Sequence, residues 1–236
     1  MAKKSGKAAD RKARVAAAQA ATRRARRRQS RIITAIGGGL VVALVAVIAV
    51  VLVTNRSGTT TSSTGIPTRP RLTATGRTTA PPWAAPADAK GAVKAAGLPM
   101  LSSEGTVEHI HAHLDVLVDG KKVTVPANIG IDQQAGAISP LHAHDDTGVV
   151  HIESPKKVPF SLGQFFTEWQ VSLGKDHIGN LTNNGDSTLA VFVNGKRRTG
   201  NPAAITFAAH DEIALVYGTP DQQKNPPKSY RFANGE

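Results

Sequence analysis

The residues that could do chemistry in this chain are its histidines, eight in 236 residues, all between His109 and His210. Imidazole titrates near neutrality and, when neutral, offers a lone pair to a divalent ion. The tightest group is His142-x-His144-Asp145-Asp146-Thr147-Gly148-Val149-Val150-His151-Ile152-Glu153. A two-residue turn at Asp146-Thr147 predicts a hairpin in which His142 faces His151, with His144 on the same side. The same register sets Leu141 against Ile152 and Ala143 against Val150, so the other side is wholly apolar. Opposed Cβ atoms lie about 5 Å apart and i,i+2 neighbours about 7 Å apart, close enough for three rings to reach one ion. Three neutral histidines suit Zn2+ or Cu2+ and leave a coordination position open. A three-residue turn would shift the register and part His142 from His151.

A second run, His109, His111 and His113, alternates along one strand with Asp115 on the same side. Its outer members are about 13 Å apart on an extended strand, too far to share an ion. An adjacent pair such as His111 with His113 has two options. It completes the first site from a neighbouring strand, or it forms a second site with Asp115 or Glu153 as ligand or orienting group. His177 and His210, beside Asp176 and Asp211, read as surface residues. There is no cysteine, which excludes disulfides, thiol catalysis, Fe–S clusters and Cys-ligated zinc. The methionines are Met1 and Met100 alone, which disfavours a soft Cu(I) site.

The elements that must carry these residues follow a period of two. In Val107–Val118 the residues Ile110, Ala112, Leu114, Val116 and Val118 fall on the face opposite the histidines. Asp119-Gly120 signals a turn that pairs Val116 with Val123 and Leu114 with Val125. Ser161 with Gln164 forms a capping-box pattern that opens a short helix through Phe165, Phe166 and Trp169. Ala190–Val193 followed by Asn194-Gly195 reads as another hairpin, Glu212–Tyr217 as a last strand, and residues 220–236 as an irregular tail. The expected fold is α+β and β-rich, antiparallel hairpins with one short helix, in a domain spanning residues 91–236.

Charge and hydropathy divide what precedes that domain. Of the formal net charge of +12, residues 1–31 hold 12 basic and one acidic residue, which is +11. Residues 32–53 carry no charge and span about 33 Å as a helix, enough for a single transmembrane segment. The arginines from Arg23 to Arg31 place the N-terminus in the cytoplasm and the rest outside, on an uncleaved signal-anchor. The basic tail is suited to anionic lipid, and without interleaved aromatics it predicts no nucleic-acid partner. Residues 54–90, rich in Thr, Pro, Ser and Ala, read as a flexible linker.

Glu108–Pro126, Ser139–Pro155, Phe160–Trp169, Phe192–Lys196 and His210–Gly218 resemble a family of single-pass, membrane-anchored proteins from actinobacteria and some archaea. The resemblance implies an extracytoplasmic His-rich domain and no particular activity. The ending, a VNG turn and then a DEI strand, is similar to that of β-grasp domains. The leading expectation is a membrane-anchored Cu2+ or Zn2+ carrier, buffer or sensor whose affinity falls below about pH 6.5, since bound histidine is neutral. Two alternatives stand beside it. One is a metal-dependent hydrolase or lyase using Asp145, Asp146 or Glu153 as base. The other is a metal-free envelope protein whose histidines decorate a sheet.

Overall fold

Asp119 and Gly120 both take positive φ, 50° and 76°, as a type I′ turn requires. The turn joins β1 (Glu108–Val118) to β2 (Lys121–Val123) with Val116 opposite Val123, the expected register. Asn194 and Gly195 repeat the device at φ 53° and 72° between β8 (Thr188–Val193) and β9 (Lys196–Arg198). The computed structural model describes residues 65–235, and their architecture is α+β with a mostly antiparallel sheet. The tail of residues 1–31 and the apolar stretch 32–53 lie outside the described residues. Among the described residues no helix is long and apolar enough to cross a membrane.

The remaining strands are β3 (Ile129–Asp132), β4 (Ala137–Ala143), β5 (Val149–Ser154) and β10 (Glu212–Gly218). The eight-stranded sheet runs β3-β4-β5-β1-β10-β8-β9, with β2 also on β1. A separate two-stranded ribbon pairs β6 (His177–Ile178) with β7 (Leu181–Thr182). One pairing departs from the expected all-hairpin arrangement: β10 lies parallel to β1, His113 against Glu212 through Val118 against Tyr217. Strands so far apart in sequence are brought together by burying their apolar side chains in one core, which no local turn dictates. Ala112, Leu114 and Val116 of β1 pack in the main core with Phe165, Phe166 and Trp169. Their odd-numbered neighbours on β1 face the other side of the sheet.

Among the described residues there are two α-helices, where one short helix was expected in the domain. The anticipated helix is α2 (Leu162–Glu168), opened by a complete capping box of Ser161 and Gln164. The additional helix is α1 (Ala89–Ala96), whose N-cap Asp88 accepts from the Gly91 N–H. It ends on Gly97 in the left-handed region at φ 77°, a conformation that costs glycine little. Of the expected linker of residues 54–90, residues 54–64 lie outside the described residues, and residues 65–90 run along the domain and contact it. Trp83 is buried edge-on against Trp169, with centroids 5.7 Å apart. The Trp169 indole N–H donates to the Trp83 carbonyl at 3.0 Å, and the Arg77 N–H donates to the Gln170 carbonyl at 2.7 Å. One large aromatic and a few backbone bonds anchor a stretch whose composition otherwise offers little to bury.

Candidate metal centre

The β4–β5 pairing sets Leu141 against Ile152 and His142 against His151, the register read from the sequence. The connection is wider than the expected two-residue turn, running from His144 to Gly148 between the strand ends. Ala143 pairs with Ile129 of β3. The loop keeps the register because Asp145 Oδ1 accepts from both the Thr147 N–H (2.9 Å) and the Thr147 hydroxyl (2.5 Å). Gly148 then presses onto β1 at φ 97°, where a Cβ would lie 2.7 Å from the Leu114 carbonyl oxygen. Glycine is required there by both contact and conformation.

Strand β1 closes on the other side of β5, placing His111 directly opposite His151. Three adjacent strands thus carry His142, His151 and His111 in a row, with His144 and His109 at either end. Ring centroids are 5.2 Å apart for His142–His151, 4.6 Å for His144–His151, 4.5 Å for His111–His151 and 5.0 Å for His109–His111. Glu153 sits among them on β5. Its Oε1 is 3.0 Å from His151 Nδ1, 3.5 Å from His109 Nε2 and 3.6 Å from His111 Nε2. Exposure is graded across the row: His142 and Glu153 are buried, whereas His144 and His109 side chains are 43% and 50% exposed.

Hydrogen-bond chemistry assigns the tautomers. The Ser139 carbonyl can only accept, so His142 Nδ1–H donates to it at 2.8 Å. Burial above all, then the neighbouring His144, lowers the His142 pKa to about 3, so the ring is neutral. Its Nε2 therefore accepts from His144 Nε2–H at 3.1 Å. Nitrogen ligands about 2.0–2.1 Å from a tetrahedral ion lie about 3.3 Å from one another, so this pair already has the spacing of a coordination edge. Burial alone would raise Glu153, but its hydrogen bond with His151 and the surrounding imidazoles hold it well below the usual carboxylate range. As a carboxylate it accepts from His151 Nδ1–H, which frees His151 Nε2. A ligating imidazole whose other N–H is held by a carbonyl or carboxylate is the usual second-sphere arrangement of metal sites.

Among the described residues, three sets of His, Glu and Asp side chains could hold a metal ion, each with buried members. They are His142, His144, His151 with Glu153; His109, His111 with Glu153; and His113, Asp115 with Glu212. In the third set the imidazole is already engaged, although Glu212 Oε1 is buried without a hydrogen-bond partner. His113 Nε2 is 3.0 Å from the Thr147 carbonyl oxygen, Nδ1 is 2.7 Å from Glu212 Oε2, and the ring stacks on Tyr230 at 3.8 Å. Asp115 is bridged to Lys122 at 3.0 Å. Both His113 nitrogens are engaged, so metal binding there requires breaking a buried hydrogen bond. Of the expected site residues, then, His142, His144, His151, His109, His111 and Glu153 form one continuous cluster, and His113 and Asp115 stand apart from it. His177 bonds Asp176 and Ser172, and His210 lies beside Phe232.

Sequence reasoning missed the residues behind the ligands. Ser139 donates its hydroxyl to Glu168 Oε1 at 2.7 Å, and Glu168 is fully buried with Oε2 unpartnered. Burial raises the Glu168 pKa well above the usual carboxylate range. The native state then carries a proton that the unfolded chain gives up above about pH 4.5, so stability falls as pH rises through that window. Glu168→Gln keeps an acceptor for Ser139 and removes the titrating proton. Denaturant titration should find the variant more stable than wild type at pH 8, with the gap shrinking at pH 5. A pH-independent difference would refute the assignment.

No protein-family model, curated protein or solved structure matches the chain. The chemistry of the site therefore rests on its own residues.

Proposed function

We propose that this chain is a membrane-anchored, extracytoplasmic metal-binding protein that holds Zn2+ or Cu2+ through His142, His144 and His151, acting as a carrier, buffer or sensor. The observation that carries the reading is the pair of Nε2 atoms 3.1 Å apart, one on a buried neutral ring already pinned through its other nitrogen. Glu153 serves this ion as the carboxylate that orients His151. The half-exposed His144 leaves one side of the ion open to solvent, which suits loading and release. Binding is favoured over hydrolysis because two carboxylates suited to act as base are engaged, Glu153 by His151 and Asp145 by Thr147. The charge-free stretch 32–53 behind its arginine cluster supports the membrane anchor and the outside location, and the basic tail supports contact with anionic lipid. The order of β1–β2, α2, β8–β9 and a β10 parallel to β1 supports a β-grasp-like framework extended by β3, β4 and β5. Elemental analysis of the full chain, purified without a histidine tag, should find zinc or copper. A chain that carries neither, and takes up neither at micromolar concentration, would overturn the proposal.

A further inference from the structure

The geometry points to a second divalent-ion site, formed by His109, His111 and Glu153, and coupled to the first through Glu153. This inference rests on the proposed first site and adds an ion to it. The donor atoms converge as two sets that share only Glu153. Trans ligands of one ion are about 4.2 Å apart at most, twice the metal–nitrogen distance, so two separate convergences mean two ions. His109 Nε2 and His111 Nε2 approach the same Glu153 oxygen at 3.5 and 3.6 Å. Both are longer than a hydrogen bond and close to the edge of a coordination polyhedron. Glu153 Oε2 is buried with no hydrogen-bond partner, an arrangement that leaves acceptor capacity for a cation.

Glu153 then has two roles, accepting from His151 Nδ1–H behind the first ion and ligating the second. Drawing carboxylate charge toward the second ion weakens its hold on His151, so each ion lowers the affinity for the other, and by the same factor. Two neighbouring dications repel in the same sense.

Equilibrium Zn2+ titration of the full-length chain tests this, with thermal unfolding as the check on folding. The wild type should bind two equivalents, the second more weakly. His109→Ala, at a half-exposed position that burial does not depend on, should bind one. His142→Ala with His144→Ala should also bind one, retained by the second site. Glu153→Gln should lose the second equivalent and bind the first about 10- to 100-fold more weakly, the usual effect of removing an orienting carboxylate. A single equivalent in the wild type that His109→Ala leaves unchanged would overturn the second site and spare the first. Two equivalents that both survive Glu153→Gln would overturn the coupling role. No Zn2+ or Cu2+ binding at all would remove both proposals together.

Discussion

His144→Ala should weaken Zn2+ binding at the His142–His144–His151 site roughly a hundred- to a thousandfold while leaving the metal-free protein as stable as before. Structural zinc sites of four ligands contribute about 10–16 kcal/mol, or about 2.5–4 kcal/mol per ligand, and each 1.4 kcal/mol is a factor of ten. The His144 side chain is 43% exposed, and its polar contacts are with His142 and with Glu104 at 3.3 Å, on the rim of the cluster. Truncation there removes a donor without emptying the interior. His142 is a poorer probe because its ring is fully buried, and alanine would leave a cavity as well as a missing ligand. The measurement is cleanest in a His109→Ala background, where only this site contributes. At a Zn2+ concentration 100-fold above the dissociation constant the intact site adds about 2.7 kcal/mol, or about 5–10 °C in a domain of this size. After a hundredfold loss the same concentration adds about 0.4 kcal/mol. An undiminished zinc-dependent rise in unfolding temperature would mean that His144 is not a ligand.

How far the site was legible depends on how local its causes are. The pairing of His142 with His151 could be read because two independent patterns, histidines on one face and Leu141 with Ile152 on the other, agree on a single register. The turns at Asp119-Gly120 and Asn194-Gly195 and the Ser161–Gln164 cap were legible for the same reason: each is dictated within a few residues. The placement of β1 against β5 is not. Nothing near His111 in the sequence specifies that His151 stands opposite it, and that contact turns two histidine motifs into one cluster. The bond between His113 and Glu212 joins residues 99 apart and depends on the parallel β1–β10 pairing. Glu168 looks like a solvent-facing residue in the last turn of a helix. Its burial follows from packing beside Ser139 and Gly130, where a Cβ would lie 2.8 Å from Glu168 Oε2. Trp83 was hidden in another way, since one aromatic among Thr, Pro and Ala barely alters the composition of its window. Its burial helps fasten residues 65–90 to the domain.

Acidification from pH 7 to pH 5 should remove about 2 kcal/mol of stability through His142 alone, before any metal is considered. In the unfolded chain this imidazole titrates near 6.5, and in the folded protein burial holds it at about 3. Between those values the unfolded state binds the extra proton, so stability rises with pH across the window, is complete above about 6.5 and is lost progressively toward 3. At 1.36 kcal/mol per pH unit, the descent from 6.5 to 5 amounts to about 2 kcal/mol, and the full window to about 4–5 kcal/mol. Glu153, held low in the folded state, adds loss in the same direction once pH passes below its unfolded value. Glu168, raised by burial, opposes both, because its contribution weakens as pH rises. Comparison with His142→Gln separates the opposing slopes: the variant keeps Glu153 and Glu168 but has no ring to protonate. Wild type should lose about 2 kcal/mol more than His142→Gln between pH 7 and pH 5 in denaturant titrations without metal. Equal losses would mean that water or motion reaches the ring.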